Sequence, residues 1–220
     1  MLVTILTIFA DLCNFCLPNS LAEVILKKLA VNDPLPPSKG RVVIMPVAHG
    51  TTIDNRPTAG LKTVVKETYF LATIHYQGKA TLIYNAYSQS PDPSIERRFK
   101  EDHLGGIYGG LAESSIDEVV NADEIFSKEG LPDVFIWQTD QAHSIRAKII
   151  LQAFYPDTTV CVRSVLVRDT IDPKSAMGTY HNIWRILILQ IAPTPLFWWW
   201  SRKGKKYLAT KAGFHQPAAK

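Results

Sequence analysis

Four short runs rich in β-branched and aromatic residues recur along the chain, at 41–47, 79–84, 132–138 and 158–163, each separated from the next by room for a helix. A brief apolar run of this kind reads as a strand covered on both faces. Helices between such strands require crossover connections, and these produce a parallel sheet. Helical periodicity spans 59–76, 115–128 and 141–153, with Gly130 as a stop after the second. The order β-α-β-α-β-α-β predicts a Rossmann-like, doubly wound α/β fold: a mainly parallel sheet with helices on both faces. In such sheets ligands sit beyond the carboxyl ends of the strands.

The stretch 85–111 fits neither pattern and is expected to be irregular, the sort of long connection that is functional or mobile. Its glycines at Gly105, Gly106, Gly109 and Gly110 are not followed by the Lys-Ser/Thr of a phosphate-binding P-loop, so they read as a flexible loop or lid. The proline-rich segment 33–40 breaks any helix and marks a boundary. The expected organisation is an N-terminal helical segment and linker (1–39), the Rossmann-like domain (40–175), and a C-terminal apolar helix with a basic, Trp-rich tail (176–220).

Composition excludes some classes. With 46% apolar and 20% charged residues the chain is not disordered. The net charge of +4 arises largely from Arg202, Lys203, Lys205, Lys206, Lys211 and Lys220, so a general nucleic-acid surface is not expected. Cys13 and Cys16 form a single C-x-x-C with no second pair and no histidine at zinc-ligand spacing, and read as small apolar helix residues; no metal site is assigned. The apolar start, 1–10, lacks a basic leader and is cut short by Asp11, so it reads as neither signal peptide nor span. Residues 183–192 read as a core helix on the sheet, because Arg185, Pro193 and Pro195 spoil a membrane segment. For 197–206, three tryptophans followed by basic residues, two readings stand: an interfacial membrane contact, or a packing patch. The chain is accordingly expected in the cytoplasm or at a membrane periphery.

Three loops at strand carboxyl ends carry polar side chains. The first holds His49 and Arg56, the second Asn85, and the third runs from Thr139 through His143 to Arg146. His143 and Arg146, three apart, share a face of the helix they open. A hydroxyl, an imidazole and a guanidinium meeting over one hollow would suit an anion: Arg forks onto phosphate or carboxylate, and His exchanges protons near neutral pH. The alternative is that Thr139 caps the helix and Arg146 pairs with a surface acid. Glu113 and Asp117 have two readings, as acids beside His143 or as caps of helix 115–128, and the capping reading comes first.

The segment 136–147, with Thr139, His143, Arg146 and Ala147 in order, resembles the strand–Thr–x3–His–x2–Arg–Ala signature of the YdcF-like family of bacterial proteins. Upstream, Ser115, Asp117, Asn121 and Ala122 are similar to a second motif of that family, with Glu118 and Val120 standing where Thr and Glu are usual. The similarity covers about 41–165, and Arg56 matches the family's arginine after the first loop. The turns after the first two strands carry bulkier residues than the family's glycines, which should reshape the pocket. The resemblance implies a Rossmann-like fold, a link to cell-envelope metabolism and, for some members, S-adenosylmethionine binding. It implies a site for an anionic, phosphorylated or nucleotide-like small molecule. Thr139, Arg146, Arg56, His49, Ser115, Asp117 and Asn85 would bind it, with His143 as acid/base candidate. The alternative is a non-catalytic binding or scaffold protein peripheral to the membrane; the altered motif residues favour it.

Overall fold

The computed structural model describes residues 2–37, 39–48, 52–54, 56, 58–87, 106–112 and 114–195. Helices α1 (Leu2–Cys16) and α2 (Asn19–Leu29) precede β1 (Val42–Pro46). Then come α3 (Ala59–Phe70), β2 (Thr81–Tyr87), β3 (Ile107–Ala112), α4 (Ser115–Glu129), β4 (Val134–Asp140), α5 (Gln141–Phe154), β5 (Thr159–Val165) and α6 (Ile183–Ile191). The strands form one parallel sheet in the order β3-β2-β1-β4-β5. The fold is Rossmann-like, and the chain reverses its direction of travel across the sheet between β1 and β4, the position where such sheets open a crevice.

Strand alternation divides the core in two. Val43, Met45, Phe135 and Trp137 point to one face and pack under Val119, Ala122 and Phe126 of α4 and Ala147 and Leu151 of α5. Val42, Ile44, Val134 and Ile136 point to the other and meet Leu71, Ala72 and Tyr76 at the end of α3. Both faces are therefore apolar, which is why the runs read as continuous in sequence. Each large side chain so buried contributes about 1.5–3 kcal/mol. α3 continues into a wider turn, Leu71–His75, and stops at Gln77 and Gly78, both at positive φ.

Two expectations are corrected. The interval expected to be irregular contains a fifth strand: β2 runs on to Tyr87, and β3 includes Gly109 and Gly110, expected to lie in a loop or lid. The glycines hide a strand that needs them. A Cβ on Gly109 would lie 2.6 Å from Asn85 Oδ1, and Gly110 has φ +134° beside a register shift between Tyr84 and Asn85. Second, β4 extends to Asp140, so Thr139 lies within the strand and Asp140 caps α5, accepting from the His143 amide at 2.8 Å.

The proline-rich segment lies along β5: Asp33 donates its amide to the Val162 carbonyl at 2.9 Å, and its carboxylate accepts from Lys148 at 2.7 Å and from the Val162 amide at 2.8 Å. This covers an edge that would otherwise expose unpaired backbone groups. α6 packs on α1, α2 and α5, not on the sheet as expected from sequence. Cys13, Ala22 and Leu26 meet Ile183, Trp184, Ile186 and Leu187 there. Arg185 forks onto both carboxylate oxygens of Asp11, each at 2.6 Å, and this bond holds the Asp11 carboxyl below its usual range. Among the described residues no helix is long and apolar enough to cross a membrane. Residues 197–206 lie outside the described residues.

Candidate functional site

A cavity of about 280 Å³ opens at the carboxyl ends of β1 and β4. Its floor is Val47 and Ala48, directly after β1. One wall is the first turn of α4, with Ser114, Ser115, Ile116 and Glu118; the facing wall is His143 and Arg146 of α5. Met177 and Tyr180, with Leu189 and Gln190 of α6, close it from the C-terminal side.

Two helix starts aim at this space. α4 begins with a capping box, in which the Ser114 side chain accepts from the Asp117 amide and the Asp117 carboxylate accepts from the Ser114 amide at 2.8 Å. α5 is capped by Asp140, whose second carboxylate oxygen accepts from the Tyr180 hydroxyl at 3.1 Å. The α4 cap leaves the following turn free to present Ser115 and Glu118, three apart, on one face.

His143 is held from both sides. Its Nδ1 lies 2.8 Å from Arg146 Nη2, and its Nε2 lies 3.0 Å from Ser115 Oγ. A guanidinium has donors only, so Nδ1 must accept. The neutral ring then carries its proton on Nε2 and donates to Ser115 Oγ. The hydroxyl, accepting this bond, retains its own proton to donate. This polarity is the reverse of a serine–histidine nucleophile pair, where Nδ1–H is held by an acceptor and Nε2 takes the serine proton. Arg146 Nη2 also donates to Gln190 Oε1 at 2.6 Å, tying the site to α6.

The charges around the cavity are unusual for their depth. Glu118 is 3% exposed, and burial pushes its carboxyl up to about 8 against the ordinary carboxylate range; the Ala48 amide, donating to Oε2 at 3.0 Å, and the nearby Arg146 pull the other way. Burial likewise lowers Arg146, opposed by Tyr180, Asp140 and Glu118. The Tyr180 hydroxyl is raised by burial and by Asp140. Near neutral pH Glu118 is largely protonated, so it presents a donor and the wall of the cavity carries the Arg146 charge.

The structure brings together three of the residues singled out from sequence: Ser115, His143 and Arg146. Thr139 is fully buried, its hydroxyl has no hydrogen-bond partner among the described residues, and it is not part of the cavity lining. Asn85 is buried within β2, where Nδ2 approaches Met45 Sδ at 3.4 Å and Oδ1 accepts from Asn121 at 2.9 Å. Asp117 serves the α4 cap. Arg56 is exposed in a turn whose amide donates to Thr52 Oγ1 at 3.1 Å. His49 and Glu113 lie outside the described residues. Sequence reasoning passed over Glu118, Asp140, Tyr180 and Gln190. The Ser115-x-x-Glu118 spacing and the cap spacing from Asp140 to His143 were available as signals. Nothing local points to Tyr180 or Gln190, which arrive through tertiary packing.

The chain matches no protein-family model, and no curated protein matches it.

Proposed function

We propose that the chain is a YdcF-like protein that binds a small anionic molecule, phosphorylated or nucleotide-like, in the cavity at the β1/β4 switch point. One observation carries this reading: Arg146, His143 and Ser115 form a continuous hydrogen-bonded row, Arg146 to His143 at 2.8 Å and His143 to Ser115 at 3.0 Å, along one wall. The row ends at the first turn of α4, whose amides and dipole favour negative charge. A protonated Glu118 adds a further donor. Small-molecule sites usually fall within about 300–1,000 Å³. A cavity of about 280 Å³ therefore suits a phosphate or sugar-phosphate group better than a whole dinucleotide. The motif resemblance supports the same residues.

Binding without turnover is favoured over acid–base chemistry by the histidine's polarity, since Nδ1 faces a cation and not a carboxylate. Where a reaction follows binding, His143 Nε2–H is the acid. The test is thermal stabilisation by inorganic phosphate, pyrophosphate, adenosine monophosphate and S-adenosylmethionine, in the wild type and in Arg146→Met and Ser115→Ala. Ligand present at a hundred times its Kd should stabilise by about 2.7 kcal/mol. We expect a shift with the phosphates that Arg146→Met abolishes and Ser115→Ala reduces. A wild type indifferent to every anion, or an unaltered response in Arg146→Met, overturns the reading.

A further inference from the structure

A second cavity, of about 590 Å³, lies between α3 and β5. It shares no lining residue with the first, whose walls come from α4, α5 and α6. α5 covers one face of β5; on the other face α3 reaches only part way, and a groove remains. Gln138 lies at its base. It follows Val134 and Ile136 in the alternation of β4, so its side chain points to the α3 face. It is only 5% exposed, yet its amide makes no side-chain hydrogen bond among the described residues. Buried amides ordinarily have partners. The strand neighbours in register with Gln138 do not supply them. Pro46 has no polar side-chain group, and Arg163 spends Nη1 on the Asp33 carbonyl at 2.9 Å. The Gln138 amide therefore faces the groove with its donor and its acceptor both unspent.

The geometry points to an adenine base, carried as an uncharged nucleoside, as the ligand of this groove. A glutamine amide pairs with adenine through two bonds, Oε1 accepting from N6 and Nε2 donating to N7. Arg163, one strand away at about 4.8 Å, keeps Nε and Nη2 to donate to another ring nitrogen. Guanine fits less well, because its O6 would face Gln138 Oε1, and the Arg163 fork that would suit it is partly spent. Phe70 and Ile74 of the α3 side and Leu166 beyond β5 line the groove and are exposed in it. A flat ring covering them removes apolar surface from water and can stack on Phe70. Glu67 and Asp169 also line the groove, and both are exposed. Carboxylates accept from ribose hydroxyls and repel a phosphate. The preference is thus opposite to that of the first cavity, where the charge is that of Arg146. The volume falls within the roughly 300–1,000 Å³ common for small-molecule sites.

The inference does not rest on the anion site, which uses other residues. The test is calorimetric titration of the full chain with adenosine and with inosine, which carries an oxygen in place of N6. The wild type should bind adenosine, and inosine about tenfold or more weakly. Gln138→Leu keeps the bulk and removes the amide. It should abolish adenosine binding while the ligand-free protein melts at the same temperature or higher, since no hydrogen bond is lost. Phe70→Ala, at an exposed position, should weaken adenosine about fivefold. The inference fails if the wild type does not take up adenosine, if inosine binds as tightly, or if Gln138→Leu binds adenosine unaltered. It also fails if inorganic phosphate displaces adenosine, which would put the nucleoside in the first cavity.

Discussion

The two flanks of β1 are built on different principles. Toward β4 and β5 the sheet is specified by side chains: all seven residues of β4 are buried, and Phe126, Phe135 and Tyr155 form an edge-to-face triangle with centroids 5.2, 5.4 and 5.7 Å apart. Toward β2 and β3 it is specified by backbone approach: β3 is half-buried and glycine-bearing, and one polar clamp fixes it. In that clamp Asn121 Nδ2 donates to Asn85 Oδ1 at 2.9 Å and to the Leu111 carbonyl at 3.0 Å. The first flank supplies stability. It also holds the C-terminal half of α4 through Phe126, whereas the second holds α4 at Asn121, close to Ser115 and Glu118 at the end of β1. Damage to the first should therefore cost stability at constant site geometry, and damage to the second should also disturb the site.

The largest effect is expected from Phe135→Ala. Removing this ring from a closed aromatic triangle should destabilise by about 3–5 kcal/mol in urea unfolding. Phosphate affinity, measured on the folded fraction, should stay within about twofold of the wild type. A large loss of affinity in Phe135→Ala would erase the distinction between the flanks.

Glu118 belongs to the positioning side and should act with the opposite sign. Its folded carboxyl is raised to about 8, whereas in the unfolded chain it ionises near the ordinary value of 4.5. Between these values the unfolded state releases a proton that the native state keeps, so stability falls as pH rises through this window and levels off above about 8. Glu118→Gln keeps an acceptor for the Ala48 amide and cannot ionise. It should gain about 2–4 kcal/mol at pH 8, where nearly the whole of this window has been crossed. At pH 4.5 the gain should vanish. Chemical denaturation across the window checks both the sign and the slope, and a pH-independent difference would remove Glu118 from the account.

On the β3 flank, Gly109→Ala places a Cβ 2.6 Å from Asn85 Oδ1 and 3.4 Å from Asn121 Cβ, so the clamp must open. The expected loss of stability is about 1–2 kcal/mol, smaller than at Phe135. Phosphate affinity should nonetheless fall, because α4 loses the anchor nearest Ser115 and Glu118. A binding isotherm for Gly109→Ala matching the wild type would show that the clamp does not govern the site.

The same contrast explains what could be read from the chain. β1, β4 and β5 are legible because burial on both faces demands β-branched and aromatic residues, and α4 and α5 because their apolar faces repeat at helical spacing. β3 is not, since a strand chosen for close backbone approach has glycines where a pattern would have signalled it. At the site, His143 and Arg146 are legible because one helix turn joins them. Thr139 misleads: it stands at the strand end in sequence, yet Asp140 takes the capping position and leaves Thr139 in the sheet. Glu118 looks like a lost motif residue until burial shows its carboxyl on the cavity wall. Tyr180 and Gln190 come from the segment beyond β5, and no local rule links them to His143.

The smallest effect is expected at the seam between the stable flank and that C-terminal segment. Tyr180 donates to Asp140 Oδ2 at 3.1 Å, while Asp140 Oδ1 holds the His143 amide. Tyr180→Phe leaves the ring and removes only the hydroxyl, so the loss should be about 1 kcal/mol. Because the amide cap persists, His143 should keep its place and phosphate binding should be nearly unchanged. Asp140→Ala removes both bonds. The double variant should then cost no more than Asp140→Ala alone, because the hydroxyl has already lost its acceptor. Additive losses in this cycle would show that the Tyr180 hydroxyl contributes independently of Asp140, and that the cap of α5 is independent of the segment that closes the cavity.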